Sequence, residues 1–307
     1  MKVLLAGATG AIGGPLLAAM AAAGHEVFAI IRDEAHRRTV TDSGAIPVVA
    51  DVMDREGLLR AVRGVSADAV MHQATALRSA RRKLTRDDPT IALRGPGSEH
   101  LLAAARAVGA RRFVTQSLIT GYGYRDHGDE LLTEEAPFGE SVGTVADLVS
   151  ESSLEAERHA FTADGIEGIA LRYGLFYGPK AFSDLFAGMM RKRLPVLPRG
   201  RTGTACFVHV EDAAAAAVAA LERGVPGAAY NIVDDQPATW REFMTEVSEA
   251  HGTPGPVAVP AWLIRGMVPY LGCLMIDTTM RVSNARAARE LGWRPVHTGL
   301  RAGLAAV

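Results

Sequence analysis

Cysteine is scarce in this 307-residue chain, which holds only Cys206 and Cys273. They have neither Cys-x-x-Cys spacing nor a histidine cluster beside them, so a disulfide scaffold is excluded, a structural zinc site is not supported, and no metal is expected. Charge of one sign is missing too. The 33 basic and 34 acidic residues leave a formal net charge of -1, whereas attraction to nucleic acid or an anionic membrane would need a clustered basic surface. The expected partner is a small molecule, and the expected setting is reducing and cytoplasmic.

Unbroken apolar runs of membrane length are also lacking. The stretch up to Ala23 has the basic start and alanine-rich body of a secretory signal, yet Gly7, Gly10, Gly13, Gly14 and Pro15 interrupt it. Residues 257–276 are apolar over about one bilayer thickness, but Pro260, Arg265 and Pro269 punctuate them, and an arginine at mid-bilayer is costly. A buried or pocket-lining helix is expected there, and no membrane association.

What the chain does have is 48% hydrophobic residues, ample for a buried core, arranged as short β-type runs alternating with helical stretches. Strands are expected at 2–6, 26–31, 46–49, 69–72, 112–116 and 168–172, with helices near 11–23, 35–43, 55–63, 89–108 and 145–163. This rhythm specifies an α/β fold, a Rossmann doubly wound parallel sheet. After Arg172 the rhythm breaks into Gly/Pro-punctuated segments with helices near 182–192, 211–222, 240–251 and 285–291. The expected organisation is a dinucleotide-binding domain over 1–172 and a smaller C-terminal substrate-binding portion over 173–307, with about 205–235 returning to the first domain.

Gly7-Ala8-Thr9-Gly10-Ala11-Ile12-Gly13 lies between the first strand and the first helix. Gly7 permits the tight turn, Gly10 lets the backbone approach a pyrophosphate, and Gly13 lets helix and strand pack closely, with helix N–H groups facing the phosphates. The second strand ends Ile30-Ile31-Arg32-Asp33. Arg32 would pair with a ribose 2′-phosphate, assisted by Arg37 or Arg38, which favours NADP over NAD.

Further segments accompany this turn: Ala50-Asp51-Val52-Met53-Asp54, Val70-Met71-His72-Gln73-Ala74, Arg112-Phe113-Val114-Thr115-Gln116-Ser117, Leu171-Arg172-Tyr173-Gly174 and Phe207-Val208-His209-Val210-Glu211-Asp212. In this order they resemble the extended short-chain dehydrogenase/reductases, the NAD-dependent epimerases and dehydratases. The resemblance implies that Asp51 contacts adenine and Val52 flanks it, that Gln73, Ala74 and Thr75 line the ribose and nicotinamide side, and that Ser117 is the catalytic serine. It also implies a homodimer through the helices at 89–108 and 145–163, whose apolar residues include Leu101, Leu102, Val145, Leu148, Val149 and Leu154.

One family feature is absent. No tyrosine is followed four residues on by a lysine, so the usual proton donor and the cation that lowers its pKa are both missing. Aligned by register, Asp147 and Glu151 take the two positions, and Arg94 stands where the family has an asparagine. Substitute acids are Tyr122, Tyr124 and Tyr173, with Asp147 and Glu151 as a carboxylate alternative. His209 reads as a satisfied core histidine, and Arg191, Lys192, Arg193, Arg199 and Arg201 read as a solvated loop or an anion clamp. Three functions remain open: an NADP-dependent oxidoreductase reducing a carbonyl or similar group, a redox-neutral isomerase, dehydratase or cyclase, and a non-catalytic dinucleotide sensor.

Overall fold

The computed structural model describes residues 1–76 and 84–305. Lys83, one of the chain's four lysines, lies outside them. Seven strands form the main sheet: β1 (Lys2–Ala6), β2 (Glu26–Ile31), β3 (Ile46–Val49), β4 (Ala69–His72), β5 (Arg112–Leu118), β6 (Glu167–Tyr173) and β7 (Ala229–Ile232). All pair in parallel, in the order β7-β6-β5-β4-β1-β2-β3. The order reverses between β1 and β4, and the crevice at such a switch point is where open α/β sheets bind ligands.

The helices on the two faces explain the apolar strand runs. Val3 and Leu5 of β1 pack towards α1 (Gly13–Ala22) and α8 (Val210–Arg223), while Leu4 and Ala6 pack towards α3 (Arg55–Ala61) and α5 (Pro96–Val108). Alternate residues of each strand therefore serve opposite cores, as expected for a sheet buried on both sides. The remaining helices are α2 (Arg37–Asp42), α4 (Pro89–Arg94), α6 (Asp147–Phe161), α7 (Phe182–Arg191), α9 (Trp240–Ala250), α10 (Ala261–Met267), α11 (Pro269–Gly272) and α12 (Leu300–Ala305).

Two expectations change. The helix expected over 89–108 breaks at Gly95 (φ -82°, ψ -102°), because Pro96 supplies no N–H and disfavours helical geometry in the residue before it. The single helix expected over 257–276 is instead the strand Val257–Val259, α10, α11 and the π turn Cys273–Asp277. Pro260 and Pro269 sit at the starts of α10 and α11, where a missing N–H costs no hydrogen bond. Among the described residues no helix is long and apolar enough to cross a membrane.

A second core, built on Tyr177, Phe186, Phe207, Trp240, Phe243 and Met275, belongs to the C-terminal half. Tyr124, Ala146 and Val149 join it from the N-terminal half, so the loop after β5 and the start of α6 form the floor on which the C-terminal half sits.

Candidate active site

The turn after β1 has the geometry of a dinucleotide cradle. Gly7 adopts φ +106°, and a Cβ there would lie 2.5 Å from the Gln73 carbonyl carbon at the end of β4. A Cβ on Gly13 would lie 2.1 Å from the Ala8 oxygen. Thr9, Gly10 and Ala11 stay accessible, and Ile12 is buried under the turn. Gln73 is 5% exposed, yet neither atom of its amide has a partner. A buried amide left unpaired beside a glycine cradle suits the sugar and carboxamide groups of a nicotinamide dinucleotide. Ala74 is half-buried and Thr75 exposed along the same edge.

At the adenosine end, the Asp51 carboxylate accepts from Met53 N–H (2.9 Å) and is exposed, while Val52 is buried and its carbonyl meets His100 Nδ1 at 2.9 Å. Asp33 accepts from Ala35 N–H at 2.9 Å and so caps the following turn. Arg37 pairs with Glu34, and Arg38 lies 3.7 Å from Asp42. Arg32 is exposed, and among the described residues no carboxylate pairs with it.

Ser117 lies elsewhere than expected. It is fully buried, and its Oγ donates to Glu157 Oε1 at 2.7 Å. Arg172 grips the same carboxylate through Nε (2.9 Å) and Nη2 (2.8 Å), and its guanidinium lies 3.6 Å from the Phe138 ring centroid. Arg172 also donates to the Tyr122 hydroxyl at 3.0 Å, which in turn donates to Asn231 Oδ1 at 2.8 Å. The five side chains Ser117, Glu157, Arg172, Tyr122 and Asn231 thus form one satisfied interior network joining β5, α6, β6 and β7. Ser117 and Tyr122 are occupied in it, so neither is free to meet a substrate oxygen.

The other candidates are placed differently again. The Asp147 carboxylate accepts from Gly143 N–H, Thr144 N–H and Thr144 Oγ–H (2.8, 3.2 and 2.6 Å). Partial burial opposes its ionisation, yet these bonds to the loop outweigh that effect and hold its pKa below the usual range. Glu151 accepts from Ser141 Oγ at 2.6 Å and lies 3.6 Å from Arg86. Neither faces the C-terminal core. The buried residues of α6 are Val149, Ser150, Ser152, Ser153, Ala156, Glu157 and Ala160; Val149 and, one turn on, Ser153 lie two residues beyond Asp147 and Glu151, and the Ser153 Oγ donates to the Val149 carbonyl at 2.8 Å. Asp147 and Glu151 thus lie off the buried face of α6, and the residues two positions further along, Val149 and Ser153, are apolar and hydroxylic.

Tyr173 is fully buried with an unpartnered hydroxyl. The Tyr124 hydroxyl lies 3.0 Å from that of Tyr270. Burial pushes the Tyr122 phenol up to about 12 and the Tyr124 and Tyr173 phenols well above their usual range. All three are weaker acids than a free tyrosine. Sequence reasoning missed Glu157, Asn231 and Tyr270, because their significance lies in partners 40 to 146 residues away.

His209 is only half satisfied. Its Nδ1 accepts from Glu211 N–H at 3.3 Å, capping α8, while the buried Nε2 has no partner. Ligand atoms of His209, Glu211 and His297 lie within 4.8 Å of one another. The basic stretch is exposed: Arg191 and Arg199 donate to the carbonyls of His251 and Ala258, and Arg201 lies 3.7 Å from Asp126.

Residues 3–233 match the NAD dependent epimerase/dehydratase family. The chain is 38% identical to a 3-diazoavenalumate denitrifying reductase from a Streptomyces species, over 99% of each chain. It is 28% identical to 4-hydroxy-2-methyl-3-oxo-4-farnesyl-3,4-dihydroquinoline-1-oxide ketoreductase of Stigmatella aurantiaca, over 95% of this chain and 92% of the other. Among solved structures, UDP-glucose 4-epimerase of Thermus thermophilus in complex with NAD superposes with a TM-score of 0.79 and 25% identity, over 99% of this chain and 97% of that one.

Proposed function

The chain belongs to the NAD dependent epimerase/dehydratase family, and from that premise we propose that it is an NADPH-dependent reductase of an organic diazonium compound. One observation carries this reading: the buried face of α6 holds Val149 and, one turn on, Ser153, rather than an acid and a cation, and the phenols nearby are made weaker acids by burial. Reduction of a carbonyl leaves an alkoxide that a positioned acid must protonate. When bound, the dinucleotide supplies hydride, and a diazonium group accepts it without a proton, R–N2+ plus hydride giving R–H and N2. The Streptomyces relative, whose name specifies a diazo substrate and a denitrifying reduction, supports the same chemistry. Substrate class, rather than a substitute acid, then accounts for the missing Tyr-x-x-x-Lys.

The chain's own residues supply binding and shape. Gly7, Gly10 and Gly13 with the α1 N-terminus would cradle the pyrophosphate, Asp51 and Val52 the adenine, and Gln73 and Ala74 the nicotinamide side. Arg32 would meet the 2′-phosphate. Ser117 acts as a positioning residue, fixing Glu157. Of the apolar residues expected at a dimer interface, Leu101, Leu102 and Val149 are buried within the protomer, so a homodimer would rest on Val145, Leu148 and Leu154.

The test is to incubate the protein with NADPH and a diazotised aminohydroxybenzoate while following nucleotide absorbance and dissolved N2 by mass spectrometry. Equal amounts of oxidised nucleotide and N2 are expected, and turnover should persist in the Tyr122→Phe and Tyr173→Phe variants. Reduction of ketones with no N2 from the diazonium compound would sink the proposal.

A further inference from the structure

Among the described residues two arginines are deeply buried, and they are treated in opposite ways. Arg172 has a bidentate carboxylate partner and an aromatic face. Arg94, at the end of α4, is 0% exposed and has neither. Its Nη1 reaches Ser152 Oγ at 3.3 Å and its Nη2 reaches Gln116 Oε1 at 3.4 Å, both long bonds to neutral groups, and its Nε has no partner. Among the described residues no carboxylate forms an ion pair with it, and Asp88 at the start of α4 acts on it through its field. The position is fixed rather than incidental, because His72 Nε2 meets the carbonyl of Leu93 at 2.9 Å and ties this turn to the end of β4. A guanidinium taken out of water without a counter-charge is costly, and such cost persists where a ligand supplies the anion.

The surroundings indicate what kind of anion. Burial pushes the Arg94 guanidinium down to about 10, and Tyr124 and Tyr270 lie close enough that a phenolate on either would oppose that fall. Their hydroxyls are 3.0 Å apart and share one hydrogen bond, so one phenolic proton of the pair remains to be donated. Gln116 Nε2, on β5 beside the guanidinium, is a further unpaired donor. Charge, guanidinium N–H groups and a phenolic O–H together match an organic oxyanion.

We propose that Arg94, Tyr124 and Tyr270 form a binding site for an anionic oxygen of the substrate, a carboxylate or phenolate, at the carboxyl edge of β4 and β5. The site selects an acid or phenol over its neutral analogue. This deepens the reductase reading and rests on it, but its test uses equilibrium binding without turnover, so either can fail alone.

The probe is 4-hydroxybenzoate, compared with neutral 4-hydroxybenzamide, titrated by calorimetry into the full chain saturated with NADP+. The unmodified protein should bind the acid more tightly than the amide by about tenfold or more, as a charge-assisted contact provides. Arg94→Met should erase that preference, leave NADP+ affinity unchanged and raise the unfolding midpoint, because an unpaired buried charge is replaced by an apolar chain of similar length. A structural arginine would lose stability instead. Tyr270→Phe should weaken the acid while sparing the amide, and it decides the matter if Arg94→Met does not fold. Equal affinity for acid and amide in the unmodified protein, no binding of the acid, or an Arg94→Met variant that loses NADP+ affinity while keeping the acid preference would each overturn the proposal.

Discussion

Under the NADPH reading proposed above, Arg32 would carry the cofactor preference, because its neighbour is already committed. Asp33 caps the next turn through Ala35 N–H, and Arg37 and Arg38 have carboxylate partners, which leaves Arg32 as the cation at the end of β2 with no carboxylate partner among the described residues. NADPH should therefore bind more tightly than NADH, and Arg32→Ala should narrow the gap by about 1.5–3 kcal/mol, the worth of a hydrogen bond to a charged group. Competitive titration of both nucleotides measures this, and equal affinities in the unmodified protein would refute it. The shape of the glycine turn was legible because it is local: spacing alone puts Gly7 where only a residue without Cβ fits against Gln73. Ser117 was not. Neighbouring residues of a strand face opposite sides, so a motif match that is right in position can still send the hydroxyl inward.

Among the elements, α6 shows the limit most clearly. Its existence was evident from sequence, but the face it turns inward is set by packing against β5, β6, α4 and α5, with Val149 alone reaching the core of the C-terminal half. The residues at Asp147 and Glu151 are claimed by the loop at 141–144. The same helix supplies Glu157, which ties β5 to β6 through Ser117 and Arg172. Glu157 is 2% exposed and Arg172 6%, so Glu157→Gln leaves a buried guanidinium uncompensated and should cost about 3–5 kcal/mol of stability. Ser117→Ala removes only one bond to that carboxylate and should cost about 1.5–3 kcal/mol while keeping turnover per folded molecule. Denaturant midpoints check both, and a Ser117→Ala variant that is fully stable but inactive would return Ser117 to the chemistry.

Across the whole molecule, the sequence reads well where structure is local and repeats. Strands buried on both faces are short apolar runs, and the connecting helices follow at regular intervals, so the parallel sheet is visible from the residues themselves. The C-terminal half is assembled from short pieces that pair with remote ones: Val257–Val259 with Pro195–Pro198, and Thr279–Val282 with Asp126–Leu132. Asp212 clasps the N–H groups of Val296 and His297 at 2.9 Å each, fixing the final segment to α8. No periodicity announces contacts of that kind, and the oxyanion site at Arg94 depends on them because Tyr270 comes from α11. What results is a glycine turn with the shape of a nucleotide cradle in the first half, a floor of β5 and α6 beneath the C-terminal half and, among the described residues, no tyrosine paired with a lysine.

That last feature has a kinetic signature. Single-turnover reduction of the diazotised aminohydroxybenzoate can be followed with NADPH and with NADPH deuterated at the transferred position, each in H2O and in D2O. Hydride delivery without a protein-borne proton gives a primary isotope effect from the labelled nucleotide and a solvent isotope effect near unity. A solvent effect well above unity on the same step, lost when Tyr124 or Tyr173 is changed to Phe, would contradict it by showing that a phenolic proton moves with the hydride.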